Sequence, residues 1–295
     1  MRIMNLDKLV SRIRKDFEVS RFPEDWSFVT EGDKKLEKNA TKEFLKENRG
    51  LIIKSSDEVK KIYLACFPST YVLKQIAKEK DVLLITHHPF DWDGTGMGFK
   101  RYSNEDYRLM QKNSISLLFM HVPWDHVRNE KNRVSTAYGT AKKLKMKVEG
   151  EFQEYHKATV SVYGKLPVKS FDGLVKYVKR NLGKKTLNIF KYGSDEVGLV
   201  AVVPGGGNEA EMLEEAHELG VSTYITGCTD RCKNAYSKNK AKKFLAKAKE
   251  LKMNVIGASH YLTEKWAMQQ SVPYFKRFGL PVKFVEDKAQ LKKLD

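Results

Sequence analysis

Apolar runs recur at short intervals along this chain and alternate with longer stretches in which apolar residues return every three or four positions. Runs of the first kind, bounded by turn residues, predict buried strands, and the second kind predicts amphipathic helices. Ile62-Tyr63-Leu64-Ala65-Cys66 predicts a strand, Tyr71 to Lys80 a helix and Val82 to Thr86 a second strand. The rhythm resumes near Ala158, with a strand over Thr159 to Gly164 and a helix over Ser170 to Leu182. It continues through Val197 to Val203 (strand), Glu209 to Leu219 (helix), Val221 to Thr226 (strand), a lysine-rich helix and Met253 to Ile256 (strand). Such alternation predicts an α/β fold with mostly parallel sheets covered by helices in three layers. Two rounds of similar rhythm predict two α/β halves, residues 61–150 and 151–295. Residues 1–60 fit neither round. Lys8 to Phe17 predicts a helix with Leu9, Val10, Ile13 and Phe17 on one side, and Thr30 to Arg49 is charge-dense. This stretch is expected to be an N-terminal extension that packs on the body or binds a partner.

Three of the predicted strands stop at histidine. Val82-Leu83-Leu84-Ile85 runs into His87-His88-Pro89, and Ile115 to Met120 runs into His121 with Asp125 four residues on. Asn254-Val255-Ile256 runs through Gly257-Ala258-Ser259 into His260 and Glu264. Ligands of open α/β sheets sit outside the carboxyl ends of the strands, so these imidazoles and carboxylates are aimed at one place. Adjacent side chains on a strand point apart, so the chain must bend for His87 and His88 to act together, or the pair must serve two neighbouring metals. Asp125 suits a metal ligand or a helix cap, and His121 suits a ligand, a supporting group or a proton carrier. His260 and Glu264 share a helix face at i, i+4, with the helix expected from Thr263 and Ser259 as its cap. Four ligands suffice for one zinc, and a surplus with two carboxylates predicts a pair of cations sharing a water.

Composition adds constraints. Among 295 residues, 54 Lys+Arg against 37 Asp+Glu leave a formal net charge of +17, which attracts polyanions. Much of it lies in helix-like surface stretches such as Lys238 to Leu251, where Phe244, Ala248 and Leu251 form one apolar stripe ringed by lysines, the pattern of a solvated helix face. No apolar run approaches the roughly 18–20 residues of a membrane span, and the first residues lack a secretory core, so a cytoplasmic location is expected. Cys66, Cys228 and Cys232 are too few for a disulfide scaffold, and the C-x3-C spacing of the last two lacks a second pair. Pro204-Gly205-Gly206-Gly207-Asn208 matches no standard phosphate loop and suits either anion contact or tight strand–helix packing. Asp91 to Gly98 reads as a loop or lid whose carboxylates can approach the site.

The elements Ile85-Thr86-His87-His88-Pro89-Phe90, His121-Val122-Pro123-Trp124-Asp125, Thr226-Gly227 and Gly257 to Glu264, in this order, resemble the Nif-three-like dinuclear-metal family. Its bacterial members are often labelled GTP cyclohydrolase I type 2. The resemblance runs from about Ile62 to Glu286 and implies two intertwined α/β repeats, with the C-terminal part of the second returning to a metal cleft between them. It implies His87, His88, Asp125, His260 and Glu264 as ligands of two divalent metal ions, with Glu264 as the bridge. His121 then stands beside the metals and, with Glu264, is the candidate for catalysis. Mixed histidine and carboxylate ligation does not distinguish zinc, iron, manganese and nickel. Members of the family assemble as hexameric rings, which implies a homo-oligomer here. The chain departs from the family where Ala65-Cys66-Phe67 replaces a strand end near aspartate, where Cys228 follows Thr226-Gly227, and where Asp25-Trp26 is only a remnant of an N-terminal Trp-Asp-Asn element.

The expected function is a metal-dependent hydrolase acting on a nucleotide or phosphate-bearing substrate through a metal-bridging hydroxide. The alternative is a nucleic-acid-binding or regulatory ring with structural metals, for which the net charge and the basic N-terminus speak. A metal-storage or metal-delivery role is a third, plainer reading.

Overall fold

In a computed structural model the described residues are 2–93, 98–127, 134–230 and 235–292. The fold is mixed α/β, with two principal sheets. The five-stranded sheet has the order Val282–Phe284, Lys61–Ala65, Val82–Thr86, Ile115–Phe119, Gly50–Ile53. Its first four strands are parallel, and Gly50–Ile53 closes one edge antiparallel to Ile115–Phe119. The six-stranded sheet has the order Asn188–Phe190, Asn254–Gly257, Val221–Thr226, Leu199–Val203, Ala158–Lys165, Lys147–Tyr155. Its parallel centre is Asn254–Gly257, Val221–Thr226 and Leu199–Val203, and the flanking pairs are antiparallel.

The central strands of both sheets are apolar on both faces because both faces are covered there. Strand side chains alternate. Ile62 and Leu64 therefore pack with the N-terminal helix Leu6–Asp16, while Tyr63 and Ala65 pack with Val72, Leu73 and Ile76 of the helix Thr70–Ile76. In the second sheet Val200 and Val202 meet Leu174 and Val178 of the helix Phe171–Leu182, and Ala201 and Val203 meet Leu213, Phe244 and Ala248. Residues before 60 thus pack on the body: Leu6, Leu9, Val10, Ile13 and Phe17 are all buried in the first core. The lysine-rich helix Ala235–Glu250 buries Phe244 and Ala248, as its stripe predicts, and leaves Lys242 and Lys243 exposed.

The helix His260–Gln270 joins the two bodies. Tyr261, Leu262, Ala267 and Met268 lie in the core of the five-stranded sheet, whereas Trp266 packs against that of the six-stranded sheet. Most of its residues are buried, polar ones such as Thr263, Glu264 and Lys265 included. Close approach is needed here: a Cβ on Gly139 would come 2.7 Å from the Ala267 backbone nitrogen. The helix begins at His260 rather than Thr263, because the Ser259 hydroxyl accepts the Leu262 amide at 3.2 Å and caps the first turn. Among the described residues no helix is long and apolar enough to cross a membrane.

Candidate metal centre

The donors come from the carboxyl ends of parallel strands in both sheets. Val82–Thr86 and Ile115–Phe119, in the five-stranded sheet, deliver His87, His88 and, one short helix on, Asp125. Asn254–Gly257, in the other sheet, delivers His260 and Glu264 through a turn in which Ser259 has φ +90°. That φ is costly for a residue with a side chain, and such strain gathers at functional sites. The amides of His87 and His88 still bond to the carbonyls of Ala65 and Cys66 at 3.3 and 3.1 Å. The Thr86 hydroxyl then donates to the His88 carbonyl at 2.7 Å, and this turn lets both rings reach the site.

All six predicted residues meet. His88 Nε2 lies 2.9 Å from Glu264 Oε2, His260 Nε2 lies 3.0 Å from Glu264 Oε1, and the two Nε2 atoms are 3.2 Å apart. His87 Nε2 lies 3.0 Å from Asp125 Oδ1, and its Nδ1 lies 3.4 Å from Glu264 Oε2. His121 Nε2 faces Asp125 Oδ2 at 3.6 Å. Among the described residues two overlapping groups have ligand atoms within 4.8 Å of one another: Cys66, His87, His88 and Glu264, and His87, His121 and Asp125. The donor set fits cations. Ligand atoms about 2.0–2.1 Å from a tetrahedral zinc stand about 3.3 Å from each other, close to the spacing found here. Nδ1 of His87 and of His88 are buried without a hydrogen-bond partner, and buried polar groups are otherwise nearly always paired. A side chain at Gly205 would fill the same space, since its Cβ would meet Glu264 Oε1 at 2.1 Å and His260 Nε2 at 3.1 Å.

The charges in this buried cluster compensate one another. Burial works against a proton on His87, yet the carboxylates of Asp125 and Glu264 outweigh it and push its pKa up to about 10. His88 goes the other way, well below the ordinary histidine value, because burial dominates and the charge of Glu264 does not offset it. Burial would raise Glu264 and Asp125, but the facing imidazoles hold both carboxyls below their usual range: His260, His88 and His87 for Glu264, and His87 and His121 for Asp125.

Three surrounding groups orient the donors. The Thr136 hydroxyl donates to Asp125 Oδ1 at 2.6 Å. Phe67 stacks on His88 with ring centroids 4.7 Å apart. Glu24, which no sequence signal singled out, lies 3.4 Å from His121 Nδ1 through Oε2 and accepts the Trp26 indole N–H (2.9 Å) and the Val122 amide (3.0 Å). The only pointer to it was the neighbouring Asp25-Trp26, in a stretch with no apolar period. Of the expected loop, Trp92 packs 4.5 Å from His260, whereas Asp91 is held by Gln290 at 2.7 Å. Residues 94–97 of that loop lie outside the described residues, as does Cys232. Cys228 stands with its sulfur 3.7 Å from His260 Nδ1. The cluster opens into a cavity of about 250 Å³, lined among others by Trp26, Phe99, Tyr155, Gly206, Gly207 and Lys240.

The chain is 26% identical over 240 residues to a GTP cyclohydrolase 1 type 2 homolog of Archaeoglobus fulgidus, covering 81% of this chain and 89% of the relative. A protein of the same description from Pyrococcus horikoshii is 24% identical over 289 residues, 96% of this chain and 98% of its own. The fold is shared with the solved protein ybgI, described as of unknown function, at a TM-score of 0.71 and 20% identity, covering 97% of this chain and all of that one. With the pattern of the Duf34/NIF3 (NGG1p interacting factor 3) family matching residues 29–290, the chain belongs to that family.

Proposed function

We propose that this protein is a hydrolase that uses two divalent cations to cleave a nucleotide or another phosphate-bearing substrate. The observation that carries the reading is the convergence of three imidazoles and two carboxylates, His87, His88, His260, Asp125 and Glu264, at one buried spot beneath an open cavity. His87, His88, Asp125, His260 and Glu264 would hold the two cations. Bound there, the cations supply Lewis acidity that activates water and stabilises the charge developing on an oxygen of the substrate. Glu264 presents both carboxylate oxygens to the site, Oε1 facing His260 and Oε2 facing His88. His121, braced by Glu24 on Nδ1, carries protons on Nε2 beside Asp125. Trp26, Phe99 and Tyr155 offer ring faces to a base, and the Gly206–Gly207 turn brings backbone close to the cavity. Lys240 sets a cation at the rim, bonded to the Gly206 carbonyl and paired with Glu209. The names of the relatives from Archaeoglobus fulgidus and Pyrococcus horikoshii favour a nucleotide.

We extend the proposal to organisation. The halves 61–150 and 151–295 act as intertwined α/β repeats, a reading supported by the return of Val282–Phe284 to pair with Lys61–Ala65. The chain then assembles as a homohexameric ring, which light scattering tests directly. For the chemistry, metal content is measured first, followed by turnover of a panel of nucleotides and phosphoesters. Metal-dependent turnover in the wild type that is lost in Glu264→Gln is the expected result. Protein that takes up no divalent metal, or turnover that survives chelation, overturns the proposal.

A further inference from the structure

Cys66 follows the strand Lys61–Ala65 and is 1% exposed. Its thiol donates to Glu264 Oε2 at 3.4 Å, and Cys66, His87, His88 and Glu264 each place a ligand atom within 4.8 Å of the others. A second observation points to the same spot. The buried Nδ1 of His87 makes no hydrogen bond and stands 3.4 Å from the same Glu264 Oε2. A sulfur, an imidazole nitrogen without a hydrogen bond and a carboxylate oxygen thus face one small volume.

We propose that Cys66 is itself a metal ligand, binding through Sγ alongside Glu264 and the two adjacent histidines. The inference rests on the metal-centre reading given above. On binding, the S–H bond breaks heterolytically, the electron pair stays on sulfur and forms the sulfur–metal bond, and the proton leaves to solvent; no oxidant is required. A thiolate in the set selects borderline-soft cations such as zinc, ferrous iron or cobalt(II) over manganese and magnesium. The five donors that the histidine and carboxylate pattern provides do not make that selection by themselves.

Cobalt(II) is the probe. It is titrated into full-length wild type, Cys66→Ser and Cys228→Ser, while ligand-field bands in the visible report bound metal and sulfur-to-cobalt charge transfer in the near ultraviolet reports thiolate. The charge-transfer band is expected in the wild type and in Cys228→Ser and lost in Cys66→Ser, whose zinc affinity falls at least about tenfold while manganese affinity is unchanged. Because the serine variant is open to misfolding, X-ray absorption on zinc-loaded wild type gives an independent reading: a sulfur shell at about 2.3 Å is expected. Cobalt bound without charge transfer, a band that persists in Cys66→Ser, or only nitrogen and oxygen around zinc overturns the thiolate and leaves the metal centre standing. No bound metal in any form overturns both.

Discussion

His87, His88 and His121 leave the ends of two parallel strands in the five-stranded sheet, while His260 and Glu264 stand on a helix fed by the six-stranded sheet. On the first side, donors emerge directly from strands whose residues are all buried, and Trp124 anchors the four-residue helix that carries Asp125. On the second side, donor placement depends on how closely backbone approaches backbone. Gly205 lies against Glu264, and Gly227 lies against Gly205 and His260, each leaving no room for a side chain. The five-stranded side therefore fixes its donors by core packing, and the six-stranded side by the absence of side chains. Substitutions that touch no donor separate these two means of support.

The largest effect is expected at Trp124. It is fully buried, packs edge-on against Phe17 at 5.5 Å and donates its indole N–H to Ser271 at 3.3 Å. Trp124→Ala leaves a cavity and is expected to lower stability by about 3–5 kcal/mol, measured by chemical denaturation. A loss below about 1 kcal/mol would mean that the Asp125 helix is not held by the core. Next comes Gly205→Ala on the other side. Gly205 has φ +61° and faces the Glu264 carboxylate, so alanine is expected to cost about 1–3 kcal/mol and to abolish zinc uptake with every donor intact. Gly206→Ala is its control. Nothing lies within 4 Å of a Cβ there, and the change is expected to stay within about 0.5 kcal/mol.

The same contrast explains what the sequence disclosed. Donors at strand ends were legible because a buried parallel strand reads as an unbroken apolar run, so His87, His121 and His260 mark where three runs stop. The strands and helices between Ala158 and Gly257 follow the expected rhythm to within a few residues at each end. Gly50–Ile53, Asn188–Phe190 and Val282–Phe284 were not legible, being short and lying at sheet edges. Lys147–Tyr155 carries no strand signal either, because this edge strand alternates charged residues with Val148, Gly150 and Phe152. Its solvent-facing positions hide the apolar ones. That the donors come from two sheets was implied by the family resemblance and not by periodicity. Periodicity locates elements but says nothing of which sheet a strand joins. Glu24 shows the same limit: a charge in a polar stretch reads as surface until the fold brings His121 beside it.

Glu24→Gln probes that supporting layer. The amide keeps an acceptor for the Val122 backbone N–H but removes the charge facing His121 Nδ1. Groups that orient metal-site histidines are worth about 10–100-fold in affinity or activity, and a loss in that range is expected in zinc titration and in turnover. An unchanged value would leave Glu24 with a purely structural part, bracing Trp26 and Val122.

The smallest effect is expected on the outer surface of the six-stranded side, where the net charge of +17 is most concentrated. Lys242 and Lys243 are exposed on the helix whose opposite face buries Phe244 and Ala248. Each exposed lysine is free of the close packing that makes Gly205 sensitive. The double change Lys242→Gln and Lys243→Gln is therefore expected to alter stability by no more than about 0.5 kcal/mol and to leave zinc affinity unchanged. The variant also decides what the charge is for. If that helix tracked a nucleic-acid backbone, each lost phosphate contact would lower the salt slope of binding by about one. A flat comparison between variant and wild type in a salt titration with duplex DNA assigns these lysines to solvation, and leaves the buried donors as the place where the chemistry is done.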